Sequence, residues 1–306
     1  QYQALFETTP ETVLIDQHPN YESTIFGKEL AEKWGADLFQ IQHHKAHFAS
    51  VLGEHNLFDS QEKVLGVVWD GTGLGDDDAI WGGEFFSYQN GKIERLNHFE
   101  YVDWIAGNKM AREPRLSLLS ALPDSNKDLA KARFSESEWK IYRKTLDGNT
   151  LKTSSVGRIF DAVASLLDIV DVTTYEGEAA MLLQATAEKQ EDQEYIDFLE
   201  GEVYEEVPTG VLLTNIQKAL ERGISNPQIA GSFIYTLASV ILRFAEQHGF
   251  KTIACSGGVF QNSVLVAELL RLTYKANIEL KLNRFLSCND ENISFGQVCY
   301  HQYINN

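Results

Sequence analysis

The stretch 251-KTIACSGGVFQNSVLVAELLRLTY-274 constrains the fold more than any other. A short apolar strand runs through Gly257 and Gly258 into a helix with apolar periodicity. A strand that feeds a helix this way belongs to a sheet with helices packed on it. Upstream, 63-KVLGVVWD-70 reads as a buried strand and 80-IWGGEFFSY-88 as a second. The turn 90-NGK-92 leads into a third over 93–102, completing a meander. Meander followed by alternating helices and strands predicts an α/β or mixed-sheet core. Before it come a strand at 12–16, a helix at 22–34, a strand at 37–41 and a helix rich in histidine. Helices are expected over 112–147 with a break near Pro123, over 157–170, 176–189 and 227–249, and in a last one after Asp290. The acidic stretch 190–224 reads as a surface insertion.

Charge narrows the function. Among 306 residues, 44 Asp and Glu oppose 26 Lys and Arg, a formal charge of −18. Such a field repels phosphate backbones and anionic membranes, which excludes nucleic acid and membrane surfaces as partners. An anionic substrate would have to be held locally, by backbone amides, helix N-termini or a cation. No apolar run approaches the roughly 20 residues of a membrane span. Three scattered cysteines form no disulfide framework and point to a reducing, cytoplasmic compartment.

Several residues stand out as candidates for chemistry. In 41-IQHHKAHFAS-50, His43 and His47 are spaced i, i+4 and share one helix face. Acids at strand or helix ends, Asp70 and Asp290, would complete a two-histidine, two-aspartate set suited to iron, zinc or manganese. A solvated histidine-rich face is the alternative, since spacing alone does not bring these residues together. Gly71, Gly73 and Gly75 follow a buried strand, but the next segment is strand-like, which excludes a Rossmann loop and leaves a phosphate-facing hairpin or a plain tight loop. In 256-SGGVFQN-262, Gly257 and Gly258 let backbone amides approach a ligand. An ordinary strand-to-helix turn reads the same way. Arg112 and Arg115 flank Glu113-Pro114 and suit an anion, or local ion pairs at a helix start. Asp161 sits on an apolar helix and needs a partner or a ligand hydroxyl. Gly177 and Glu178 open another helix. No nucleophile–base pair is visible, so an attacking group would come from a substrate.

Taken in order, QHHKAH, VVWDGTGLGDDDAIWGGEF, AREPR, GRIFDAVASLLD, TYEGEAAM, CSGGVFQN and NDENISFGQ resemble the C-terminal domain of the hydrogenase-maturation carbamoyltransferases, the HypF family. The resemblance covers essentially the whole chain. It extends more distantly to antibiotic O-carbamoyltransferases and tRNA threonylcarbamoyl transferases.

The resemblance implies a two-lobed actin/sugar-kinase/Hsp70-like architecture of RNase-H-like lobes with helical insertions. Residues 1–60 would form an N-terminal lobe, expected to be truncated, and residues 61–306 the second lobe with the nucleotide loops. It implies that His43, His47 and Asp290 bind a divalent metal, iron or zinc, and that Asp70 adds a further acid. Mg²⁺ is a further candidate alongside the nucleotide. Gly71, Gly73 and Gly75 would face phosphate and carbamoyl group. Asp161, Gly177 and Glu178 would lie along the ribose, and Gly257, Gly258 and Asn262 along the rest of the nucleotide. Asp70, Arg112 and Arg115 are the residues expected to act in the reaction.

That reaction would move a carbamoyl group from carbamoyl-adenylate, made from carbamoyl phosphate and ATP, to the C-terminal cysteine thiolate of a HypE-type partner. An O-carbamoyltransferase acting on a small-molecule hydroxyl and a non-catalytic nucleotide-binding scaffold are the competing readings. The chain departs from the family at 105-IAGNKM-110, where proline, two glycines and an aspartate are usual, and at Ser287-Cys288, where prolines are usual. The upstream acylphosphatase, zinc-binding and adenylate-forming domains of the family have no counterpart in this sequence.

Overall fold

Short-range signals in the sequence set most element ends. The computed structural model describes residues 5, 7–190, 194–201 and 204–305. The chain opens with β1 (Thr12–Asp16), α1 (Glu22–Trp34), β2 (Asp37–Ile41) and α2 (His43–Glu54). Gly35 stops α1 in the left-handed conformation a C-cap needs, and the Gln42 side chain starts α2 by accepting from the Lys45 amide. The meander follows as β3 (Val64–Trp69), β4 (Gly83–Gln89) and β5 (Lys92–His98). Asn90 and Gly91, both at positive φ, make the tight β4–β5 turn.

Next come β6 (Val102–Asp103), α3 (Pro114–Ala121), α4 (Glu136–Leu146), β7 (Lys152–Thr153), α5 (Val156–Leu166) and α6 (Glu178–Ala187). The chain ends through α7 (Thr209–Glu221), α8 (Asn226–Gln247), β8 (Thr252–Ser256), α9 (Ser263–Ala276), β9 (Glu279–Leu282) and α10 (Ile293–Tyr300).

The central sheet has the order β5-β4-β3-β8-β9. Its first three strands are antiparallel, and β3, β8 and β9 are mutually parallel. A meander whose first strand is then joined by two parallel strands is the RNase-H-like arrangement, so the expected architecture is observed. β1 and β2 pair in parallel as a separate two-stranded sheet.

β3 is buried on both faces, and its side chains alternate between two cores. Leu65, Val67 and Trp69 face the larger core with α5 and α8, where Phe85 meets Phe244 and Phe160 meets Phe233. Val64 and Val68 face a smaller core under α2, together with Phe48, Phe86 and Cys299. Gly66 belongs to this second face because the Phe48 ring lies on it; a Cβ there would sit 2.6 Å from that ring.

Three expectations need correction. The 190–224 stretch is not wholly a surface insertion: α7 buries Leu212, Leu213 and Ile216 in the main core, and all but one of the acids, Glu221, precede it. The third strand ends at His98, and Val102–Asp103 pairs instead with β7. Finally, α8 is long and apolar enough to span a bilayer by length and composition. Its Phe233, Ile234, Leu237 and Ile241 are fully buried in the protein, so core packing accounts for its apolarity.

Candidate active site and metal centre

Four elements converge at one end of the central sheet. β3 and β8 run parallel there and deliver Asp70 and the Ser256–Gly258 turn side by side. Crevices beyond the carboxyl ends of parallel strands are where open α/β sheets bind ligands. The first two turns of α2 contribute His43 and His47, and the turn before α10 contributes Asp290.

These four side chains meet. Nε2 of His43 lies 3.5 Å from Asp70 Oδ2 and 3.6 Å from Asp290 Oδ1. Nε2 of His47 lies 3.4 Å and 3.6 Å from the same two oxygens. All four ligand atoms fall within 4.8 Å of one another. Four donors about 2.1 Å from a tetrahedral ion are separated by about 3.4 Å, so the spacing fits a divalent cation. Both Nε2 atoms are buried without a hydrogen-bond partner, and these separations are too long to supply one. The donor set, two imidazoles and two carboxylates, suits iron or zinc.

Electrostatics agree with the geometry. Burial alone would depress both imidazoles. Asp16, Asp290 and Asp70 outweigh it and hold His43 well above its ordinary range, and Asp290 and Asp70 raise His47 above its own. Burial likewise would raise Asp70, yet His43 and His47 bring it well below the usual carboxylate range. Asp290 is lowered by the same two histidines. The pocket between the carboxylates favours positive charge.

A cavity of about 500 Å³ opens beside this cluster and shares Asp70 and Asp290 with it. Of the other residues singled out in the sequence, Gly71, Asp161, Gly177, Gly258 and Asn262 line it. The backbone N–H of Gly258 donates to Asp70 Oδ1 at 3.2 Å, and Asn262 caps α9 by accepting from the Leu265 amide. The Ser155 hydroxyl lies 2.8 Å from the carbonyl oxygens of both Asp70 and Gly71, and Gly157 donates to Asp70 O, which pins the loop after β3 against α5. Asp161 pairs with Arg158 at 2.8 Å, both side chains buried. Burial, only partly offset by Arg158, pushes the Asp161 carboxyl up to about 6.

Other candidates stand apart from the cavity. Gly73 packs under the histidines: a Cβ would lie 2.4 Å from His44 Cε1 and 3.1 Å from His43 Cδ2. Gly75 lies against the Trp81 indole, whose Nε1 donates to Asp77. Gly257, at φ 101°, is pressed on the Trp69 carbonyl and serves the turn rather than the cavity wall. Glu178 is turned back on its own helix start, accepting from Thr174 Oγ1 at 3.0 Å and from the Thr174 amide. Arg115 is spent on Glu113, Glu138 and the Arg133 carbonyl and stacks on Phe134. The Arg112 carbonyl accepts from Thr173, and neither arginine lines the cavity.

Three residues at the site escaped the sequence reading. Arg158 is the cation beside Asp161, three residues before it. Asp16 ends β1 and places Oδ2 2.8 Å from His43 Nδ1. Asn292 places Oδ1 2.9 Å from His47 Nδ1. An acid at a strand end was a usable signal for Asp16, as it was for Asp70; Asn292 lies within the NDENISFGQ stretch, but no spacing or residue pattern gave it a role.

Comparison with known proteins agrees with this picture. Residues 66–297 match the family described as "Carbamoyltransferase, Kae1-like Domain, second subdomain", and residues 1–54 match the "HypF Kae1-like domain". The carbamoyltransferase HypF of Synechocystis sp. is 30% identical over 96% of this chain and 40% of its own length. A probable carbamoyltransferase HypF of Methanocaldococcus jannaschii is 31% identical over 94% of this chain and 38% of its own. The crystal structure of a full-length HypF in a phosphate- and nucleotide-bound form superposes with a TM-score of 0.84 at 30% identity, covering 98% of this chain and 40% of that one. The chain therefore spans about 40% of the length of these relatives. With matching domains over nearly its whole length, a shared fold and the expected acid–histidine cluster beside a cleft, this chain belongs to the HypF carbamoyltransferase family.

Proposed function

We propose that this chain transfers a carbamoyl group from carbamoyl-adenylate to the C-terminal cysteine thiolate of a HypE-type maturation protein, a step toward the cyanide ligands of a nickel–iron site. The observation that carries this reading is the sharing of Asp70 and Asp290 between the two-histidine cluster and the 500 Å³ cavity. A group that ligates a cation and lines a substrate cleft brings the two together. The nucleotide-bound HypF relative supports a nucleotide in that cleft, and carbamoyl phosphate with ATP would supply the adenylate. On the same reading residues 1–60 belong to one lobe and residues 61–306 to the other, and the protein works in the cytoplasm.

The chemistry asks the protein chiefly to hold and to neutralise. The thiolate sulfur attacks the carbamoyl carbon, an S–C bond forms, and the C–O bond to the adenylate phosphate breaks with its electron pair leaving on AMP. Asp161 accepts from ribose hydroxyls, and the Gly258 turn and the loop after Asp70 let the backbone approach the phosphate. Arg158 offsets part of the negative field from the acids around the cleft. His43, His47, Asp70 and Asp290 would hold iron or zinc, which supplies Lewis acidity for charge that develops on oxygen. Because the partner brings the nucleophile, no nucleophile–base pair is needed here.

Intact-mass analysis tests the reading. The full chain is mixed with carbamoyl-adenylate and the HypE-type partner, with the partner's terminal cysteine variant as control. One carbamoyl group gained by the unaltered partner alone, and lost with Asp290→Ala, is the expected result. If the longer relatives also fail to load the partner, the thiol-acceptor reading falls and a small-molecule hydroxyl becomes the acceptor to test.

A further inference from the structure

Both metal-facing histidines are held from behind, and the groups behind them decide which ring nitrogen carries the proton. Asp16 is buried, and its Oδ2 lies 2.8 Å from His43 Nδ1. A carboxylate only accepts, so Nδ1 of His43 is an N–H, and in the neutral ring that a cation needs, Nε2 keeps the lone pair.

For His47 the same conclusion follows from a closed ring of hydrogen bonds. The Ser50 hydroxyl donates to the His47 carbonyl at 2.8 Å, so Ser50 Oγ accepts from Asn283 Nδ2 at 3.1 Å. Asn283 therefore presents Oδ1 to the Ser256 hydroxyl, which donates to it at 2.8 Å. With its proton used, Ser256 Oγ accepts from Asn292 Nδ2 at 3.0 Å; the same amide nitrogen donates to the Ser287 carbonyl at 3.0 Å. Asn292 is thus fixed with Oδ1 toward His47 Nδ1, 2.9 Å away. An amide oxygen cannot donate, so Nδ1 of His47 must. The ring begins at the His47 carbonyl and ends on the His47 imidazole, and every direction in it is set by groups that only accept.

We infer that Asp16 and Asn292 are positioning residues that fix both histidines in the Nδ1–H form and so pre-set two Nε2 lone pairs toward the cation site between Asp70 and Asp290. This rests on the metal reading above and assigns it an outer layer. Partners of this kind orient ligating imidazoles, and losing one typically weakens metal binding about 10–100-fold. Asp16 also sits at the end of β1, so its hydrogen bond adds a tie between the β1–β2 sheet and the cation site, beside the direct run of β2 through Gln42 into α2.

Zn²⁺ is the probe, titrated into the full chain against a chromophoric chelator. Asp16→Asn keeps the shape but can turn an N–H toward His43, so the proton position is no longer dictated. Zn²⁺ affinity is expected to fall at least tenfold in Asp16→Asn and Asn292→Leu. The metal-free melting temperature of Asp16→Asn should stay close to that of the unaltered chain, which a merely structural role would not give. Nitrogen-15 spectra of the metal-free protein, taken at a pH high enough that both imidazoles are neutral, should put the one remaining proton on Nδ1 of each ring. One Zn²⁺ bound with equal affinity by the unaltered chain and Asp16→Asn, or a neutral ring with its proton on Nε2, overturns the inference and leaves the metal reading standing. An unaltered chain that binds no Zn²⁺ overturns both.

Discussion

Gly258 donates its backbone N–H to Oδ1 of Asp70 at 3.2 Å, while Oδ2 of the same carboxylate lies 3.4 Å from His47 Nε2. One carboxylate thus joins the cation cluster to the glycine turn that lines the cleft. Asp70→Asn keeps the volume and the contact to Gly258 but removes the charge between the two imidazoles. Zn²⁺ affinity of the full chain is expected to drop at least tenfold, and carbamoyl loading of the partner at least a hundredfold. Chelator competition and intact mass measure the two. An unchanged metal affinity would show that the cluster is a charge network only.

Much of this site was legible in the sequence because strand ends and helix spacing are local features. Asp70 directly follows β3, the i, i+4 step put His43 and His47 on one face, and Gly258 with Asn262 stood at a strand-to-helix junction. The unreadable parts are those decided by tertiary direction. Glu178 and Asp161 both stood on helices, but Glu178 folds back on Thr174 whereas Asp161 points into the cleft beside Arg158. Arg115 carries the fork geometry an anion would want, yet Glu113 and Glu138 reach it first. The order of the central sheet depended on β3 pairing with β8 across nearly 190 residues, and the resemblance to a known family supplied that step rather than any pattern of spacing.

Asp161 gives the cleft a pH dependence. Burial raises its carboxyl to about 6, above the ordinary aspartate value, and Arg158 limits the rise. The side chain is ionised at pH 7.5 and takes up a proton as the pH falls through 6. A protonated carboxyl is a poorer acceptor for ribose hydroxyls. Adenine-nucleotide affinity is therefore expected to weaken several-fold between pH 7.5 and pH 5. Asp161→Asn should bind more weakly at pH 7.5 and lose most of that slope. Isothermal titration across the pH range reads both, and an identical slope in the variant would assign the proton elsewhere.

Arg115 separates stability from binding. Its guanidinium holds Glu113 and Glu138 at 2.8 Å and 2.9 Å and lies over the Phe134 ring, and it lines no part of the cleft. Arg115→Gln leaves the largely buried Glu113 with Lys109 as its remaining cation. Breaking such a network costs about 2 kcal/mol. The melting temperature should fall by several degrees while nucleotide affinity stays within about twofold of the unaltered chain. A large loss of affinity with no loss of stability would return Arg115 to the reaction.

The crossing of α2 and α10 places the two ends of the metal set, and it depends on a glycine. A Cβ on Gly296 would lie 1.9 Å from the Ala46 carbonyl oxygen and 2.7 Å from its carbon. Backbone cannot step aside as a flexible side chain does, so α10 would have to retreat from α2. Alanine in place of a helical glycine gains about 1 kcal/mol in propensity. Overpacking a close contact costs about 1–3 kcal/mol, and more where backbone is the obstacle. The clash should therefore win, and Gly296→Ala is expected to unfold at lower urea. Retreat of α10 also moves Asp290 and Asn292 away from His43 and His47. Zn²⁺ affinity should fall in parallel, although residue 296 touches neither the ion site nor the cleft. A variant as stable as the unaltered chain with the same Zn²⁺ affinity would mean that α10 can shift without moving the turn that carries Asp290.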